Sequence, residues 1–223
     1  MAQFRTYAVG NLNTIVRQDE LSGPWVNISP AGIPAPPPLW MDVMAFPGDN
    51  DKVIVVGSIT NNANSGIRVS NDAGVTWNTP TGNWAQWGKS FYEVWIVKED
   101  PVYGPNNVIW IVGDAGAVVR STDGGLTFNN PDQFGAGGLT HPGGGLYAFT
   151  SAIHAINSQV AVVAGSETTL LGIDEAYVWK TVDGGNTWQF LNTGATYPAP
   201  LPPSLRNNQI PSTVVSVSIT NPG

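Results

Sequence analysis

Two carboxylates stand in matching phrases of this chain. Asp42 occurs in Trp40-Met-Asp42-Val and Glu93 in Phe91-Tyr-Glu93-Val. Two carboxyl groups at a suitable separation can cleave a glycosidic bond, one as general acid and the other as general base. The same acids can instead bond backbone groups or waters beside them, and that structural role is the expected one. The corresponding place in a third copy falls at Thr150 or Ser151, and in a fourth at Ser212 or Thr213.

The other chemistry-bearing residues are sparse. His154 falls in an apolar run and reads as a hydrogen-bonded core residue. His141 lies in a glycine-rich stretch, where it can touch a ligand. These two histidines do not make a metal site. With no cysteine, there is no disulfide, zinc thiolate or thiol nucleophile. No Gly-x-Ser-x-Gly phrase supports a serine hydrolase. Gly143-Gly-Gly145 follows no strand and opens no helix, so it is not a phosphate loop. No cofactor is expected. The aromatics Trp40, Trp84, Trp87, Tyr147 and Tyr197 can stack on sugar rings, with Asn and Asp side chains bonding the hydroxyls. Each has packing in the core or under a loop as its alternative.

What must position these residues is a repeat. An eight-residue phrase occurs three times: Ser70-Asn-Asp72-Ala-Gly74-Val-Thr76-Trp77, Ser121-Thr-Asp123-Gly-Gly125-Leu-Thr127-Phe128 and Thr181-Val-Asp183-Gly-Gly185-Asn-Thr187-Trp188. Aspartate suits a tight turn because its carboxylate bonds nearby backbone N–H groups. Glycine supplies a positive φ, and the closing aromatic plugs into a core. Upstream of each phrase lies a short strand ending in glycine, at Val55-Val56-Gly57, Ile111-Val112-Gly113 and Val163-Ala164-Gly165. Ala8-Val9-Gly10 has the same form. A second strand follows each glycine: Gly66–Val69, Ala117–Arg120, Tyr177–Lys180 and, at the N-terminus, Thr14–Arg17. A further apolar strand precedes each: Leu39–Phe46, Phe91–Val97 and Tyr147–Ile156, with a last one at Thr213–Ile219. Period-two alternation and β-branched or aromatic enrichment support strands throughout.

The phrase resembles the Asp-box, or BNR repeat, of sialidase-like β-propellers. It is similar also to repeats of the photosystem II assembly-factor propellers and of BNR-repeat proteins in phage virions. The resemblance implies an all-β propeller fold, in a family whose rings usually have six, seven or more blades. Counting the strands gives a small β-propeller of about four four-stranded blades, with a piece of a larger ring or half of one built from two chains as the alternatives. Lettering the strands of a blade A to D from the axis outward, the N-terminal B-C-D strands would be closed by a C-terminal A strand. The blade units are 1–30 plus 212–223, 38–80, 90–131 and 146–193, within one domain spanning 1–223. In that family the boxes lie on the face opposite the active site, so their residues are read as structural. The long D-to-A connections, two of them proline-rich, then become stiff straps or a binding rim.

A sialidase also needs three arginines around the substrate carboxylate. The chain has five arginines, Arg5, Arg17, Arg68, Arg120 and Arg206. Arg17 and Arg120 share one repeat slot with Lys180, a periodic placement that suits pairing with neighbouring acids along a blade edge. The Arg-Ile-Pro phrase of sialidases is missing. The expectation is a non-catalytic recognition or assembly module, a virion structural component among the options, that binds a glycan or a protein partner. Hydrolysis through Asp42 and Glu93 is the alternative.

Composition agrees. The net charge of −7 argues against a nucleic-acid partner, and charged residues make up only 11%. No apolar run approaches the length of a membrane span. The N-terminus carries no charged-then-apolar secretory pattern, so a virion or the cytoplasm is expected rather than secretion. Blades shared between chains would make a homo-oligomer or a larger assembly.

Overall fold

A computed structural model describes residues 5–31, 37–58, 66–86, 89–130, 139, 145–169 and 174–191. The described residues form four antiparallel sheets in chain order. The first holds β1 (Thr6–Gly10), β2 (Thr14–Gln18) and β3 (Trp25–Asn27). The second holds β4 (Trp40–Phe46), β5 (Asp49–Gly57) and β6 (Ile67–Ser70). After a 3-10 turn at Asn83–Gln86, the third holds β7 (Phe91–Ile96), β8 (Ile109–Gly113) and β9 (Val118–Ser121). The fourth holds β10 (Gly145–Ala155), β11 (Ala161–Thr169), β12 (Asp174–Thr181) and β13 (Gln189–Phe190). The architecture is all-β, as the sequence predicts.

The sheets stack through alternate residues of their central strands, because successive side chains of a strand point to opposite faces. Val55 of β5 packs back toward the first sheet with Ile15, Trp40 and Trp77. Its neighbours Ile54 and Val56 pack forward with Ile96, Ile109, Ile111 and Phe128. On β8, Trp110 and Val112 pack forward again, against Ile153, Val163 and Trp188. The two middle sheets are therefore covered on both faces, which explains their unbroken apolar runs. The closing aromatic of each phrase fills the seam with the preceding sheet: Trp77 donates its indole N–H to Ile28 O at 2.7 Å, and Phe128 and Trp188 are buried.

The glycines that end β5 and β8 have a steric reason. A Cβ on Gly57 would collide with the carbonyl oxygen of Leu39, and one on Gly113 with that of Ser90. Each glycine lets the leading strand of its sheet approach closely. At Gly10, the same place on β1, a Cβ would meet nothing within 4 Å among the described residues. The segment 212–223, expected as the leading strand of the first sheet, lies outside the described residues.

Two expectations change. The outermost strands of the second and third sheets shrink to single bridges, Val69 with Asn78 and Arg120 with Asn129. Pro80 and Pro131 follow closely and cannot extend a ladder. In the fourth sheet, where no proline intervenes, β13 pairs over two residues. The second change is one of register. An irregularity interrupts each leading-strand pairing at the same place, between Trp40 and Asp42, Phe91 and Glu93, and Thr150 and Ala152. It puts Ala152, not Thr150 or Ser151, in the slot of Asp42 and Glu93. A bulge re-aims the side chain that follows it, and its extra residue cannot be counted from the sequence alone.

Candidate functional site

The bulges aim the two carboxylates along the line of leading strands. Asp42 accepts the N–H of Val43 at 2.8 Å through one oxygen and, through the other, the N–H of Val94 on β7 at 3.0 Å. Glu93 repeats the move one sheet on, accepting the N–H of Ile153 on β10 at 2.9 Å. A thioether stands in similarly two residues later, where Met44 Sδ receives the N–H of Ile96 at 3.3 Å. Trp95 donates its indole N–H to Ala155 O at 2.9 Å. Each acid thus holds the backbone of the next leading strand.

Electrostatics separate the pair. Burial pushes the Asp42 carboxyl up, against the two N–H groups that favour its ionised form. Burial pushes Glu93 further, to about 7; the Ile153 N–H opposes the rise and the charge of Asp42 adds to it. A carboxyl poised near neutrality can exchange a proton at physiological pH, while its neighbour stays the more acidic of the two. His154, also on β10, stacks on Trp95 with ring centroids 4.2 Å apart, and burial lowers its pKa. It is half-buried against an indole.

The repeated phrase builds the same turn three times. In the first, Asp72 Oδ1 accepts the Thr76 N–H and the Ser70 hydroxyl, both at 2.8 Å, and Oδ2 accepts the Thr76 hydroxyl at 2.6 Å. Ser70 Oγ then receives the Gly74 N–H at 2.8 Å. Asp123 and Asp183 make the corresponding bonds with Ser121 and Thr127, and with Thr181 and Thr187. Gly125 and Gly185 donate to Ser121 and Thr181 as Gly74 does to Ser70. The three glycines have φ of 88, 90 and 89°, which a side chain would strain. All three carboxyls sit below the usual range. At Asp72 and Asp183 the threonine hydroxyl is the leading cause; at Asp123 burial pushes the other way and is outweighed by the bonds from Thr127 and Ser121. These acids are consumed within their turns and leave little capacity for a metal. No group of three or more potential ligands occurs among the described residues.

The cations in the shared slot reach across the seams. Arg17 donates to Ala73 O in the next sheet's turn and pairs with Asp19 at 2.8 Å. Arg120 donates to Ser158 O and Gly184 O in the fourth sheet, both at 2.7 Å. The expected pairing with acids holds for Arg17, whereas Arg120 bonds carbonyl oxygens.

On the face of the long connections, the predicted stacking residues separate. Trp40 is 2% exposed and donates its indole N–H to Asn13 Oδ1 at 2.9 Å. Trp84 is 1% exposed, bonds Thr81 O at 3.2 Å and meets Phe91 edge-on at 6.0 Å. Neither ring has a face free for a ligand, since both fill seams between sheets. Tyr147 lies on β10 opposite Thr168. Trp87, His141 and Tyr197 lie outside the described residues. Asn13 also ties the first proline-rich connection down, donating from its side chain to Pro30 O and from its backbone to Pro38 O, each at 2.9 Å. The connection is thus a strap fixed at both ends. The sequence reading missed a cluster at the β8–β9 turn. There the Tyr92 hydroxyl donates to Asp114, which also receives the Ser90 N–H, and Lys89 reaches Ala115 O. Burial and then Asp114 push the Tyr92 phenol up strongly. Its partners come from a turn 22 residues away, a distance with no local signature.

No family model matches the sequence, and no curated protein matches it. Solved structures share its fold. An ancestral GH74 enzyme superposes with a TM-score of 0.59 at 18% identity, over 85% of this chain and 24% of that one. The GH74 xyloglucanase from Xanthomonas campestris gives 0.57 at 15% identity, over 84% and 28%. YCF48 from Cyanidioschyzon merolae gives a lower score, 0.41 at 21% identity, over 71% and 39%. The chain spans about a quarter of the length of the GH74 enzymes it matches. At these identities the likeness speaks to the fold, which is of β-propeller type.

Proposed function

We propose that the chain is a non-catalytic propeller module of the Asp-box kind, serving recognition or assembly. Its partner would be a glycan or a protein, bound on the face of the long connections, and a virion particle is one setting that such a platform suits. The observation that carries this reading is the use made of Asp42 and Glu93, which accept backbone N–H groups of Val94 and Ile153 on the following strands. A carboxylate that clips two strands together has a structural duty, and removing it would cost the fold before it cost a reaction. The bonds from Asn13 to Pro30 and Pro38 fix the two ends of the first proline-rich connection, and a partner that meets fixed groups loses little conformational entropy.

A second reading has one specific observation in its favour. Glu93 is raised to about 7 beside the more acidic Asp42, the division of labour that a glycoside hydrolase uses. A xyloglucanase stands among the proteins of similar fold. Incubation with xyloglucan and a panel of other polysaccharides, wild type beside Glu93→Gln, separates the two. Retention of a polysaccharide or protein partner without product, unchanged in Glu93→Gln, supports the module. Reducing ends released by the wild type and lost in Glu93→Gln would replace it with the hydrolase.

A further inference from the structure

We propose that the back of the first sheet is an interface for a second copy of this chain, which docks the outer part of its fourth sheet there. The inference does not rest on what the module recognises.

The seams between sheets share one plan. From behind, the closing aromatic of each phrase fills the seam, and Phe128 and Trp188 are 0% and 7% exposed. The segment Gln18–Trp25 stands in the same register as Ser70–Trp77, so Trp25 is the first sheet's copy of that aromatic. Trp25 is 48% exposed, and Val26 beside it 43%. The chain's own fourth sheet therefore leaves Trp25 uncovered. A large indole and a valine side by side on an outer strand form the kind of anchor that interfaces bury.

From in front, two of the three seams are clipped by a cation, and in the second Val69 fills the slot. Arg17 reaches Ala73 O and Arg120 reaches Gly184 O, each in the turn of the next sheet. Lys180 occupies that slot on β12, half-buried, where its backbone pairs with Val162 and Gln189 and its side chain bonds none of the described residues. The place that matches Ala73 on the first sheet is Leu21, at the exposed tip of a turn that also carries Glu20, whereas Asp19 is already paired with Arg5 and Arg17. Lys180 at one end of the stack and the exposed Glu20, beside the Leu21 carbonyl, at the other are complementary in charge. A second copy continues the same seam, head to tail. Because such a contact joins unlike surfaces, it closes into a ring or extends as a filament.

The absence of cysteine makes a direct test simple. Full-length Leu21→Cys and Lys180→Cys chains are mixed and treated with a short bis-maleimide, and each is also treated alone. The expected result is a covalent dimer that is strong only in the mixture. A double variant that cross-links within one chain overturns the proposal, because the chain then closes on itself. In parallel, light scattering on the unmodified chain should show a mass above the monomer that rises with concentration. Trp25→Ser should raise the dissociation constant about tenfold or more. A wild-type chain that stays monomeric at its highest soluble concentration, or a Trp25→Ser chain that associates like the wild type, also overturns it.

Discussion

Glu93 accepts the backbone N–H of Ile153 at 2.9 Å, so one carboxylate joins β7 to β10 while it titrates near neutral pH. Its folded pKa, raised to about 7 mainly by burial, exceeds its ordinary value of 4.5. The proton is held more tightly in the folded chain. Glu93 therefore contributes stability that is complete below about pH 4.5 and lost as the pH rises through about 7. Because the group is only partly buried, the change is of order 1–2 kcal/mol. His154, whose pKa is lowered, acts with the opposite sign over part of this window. Urea denaturation at pH 5 and pH 8, wild type against Glu93→Gln, isolates the effect, and the glutamine variant should show the smaller loss toward pH 8. Glu93→Ala leaves the Ile153 N–H without its acceptor and should cost roughly 1–3 kcal/mol at pH 5.

The turn at Asp123 should be costly to dismantle. Asp123→Ala removes the acceptor of the Ser121 and Thr127 hydroxyls and of the Leu126 and Thr127 N–H groups. A loss of about 2–3 kcal/mol is expected. Asp123→Asn keeps part of the acceptor set and should lose less. The carboxyl is held below its ordinary range, so its contribution is present above about pH 4 and disappears as the pH falls through the lowered folded value. Thermal melts of the three chains at pH 7 and pH 3 would show the variants converging on the wild type in acid.

Trp40 divides a packing role from a stacking role. Trp40→Ala should cost about 3–5 kcal/mol by opening a cavity between the first and second sheets. Trp40→Phe loses the bond to Asn13 Oδ1 and some volume, about 1–2 kcal/mol. The affinity for any ligand found on the loop face should be unchanged in Trp40→Phe, as measured by calorimetry.

Glycine at the ends of the central strands gives a paired experiment. Gly57→Ala pushes a methyl group into the Leu39 carbonyl and should lose roughly 1–3 kcal/mol. Gly10→Ala meets no described residue and should change stability by less than about 0.5 kcal/mol. Equal losses at the two sites in guanidinium melts would mean that β1 has a close neighbour like that of β5.

The turn phrase was readable in the sequence because the bonds among its hydroxyl, aspartate and glycine positions are local: Ser121, Asp123, Gly125 and Thr127 reach each other within four residues. The glycine-ended strands were readable for a similar reason, since the close approach they permit recurs at Gly57 and Gly113. The aromatics were not. Trp40 and Trp84 are large, polar at one atom and set among prolines, a profile that suits a binding rim and a seam equally. Their indole N–H groups found acceptors in Asn13 and Thr81, and only the first of these is distant in sequence. The third carboxylate slot was misplaced because Ala152, which occupies it, carries no chemistry to betray its position.

The cation clips have a mechanical consequence. Arg17 and Arg120 join a sheet only to the one after it, and the apolar seams likewise connect nearest neighbours. Tension or denaturant applied to such a row propagates sequentially, as in other one-dimensional arrays. The first sheet, covered on one side only among the described residues, should peel before the middle pair, so its amide protons should exchange with deuterium soonest. A row of this kind also lengthens or shortens by whole units, because inserting or deleting one sheet only rejoins two seams of the same design.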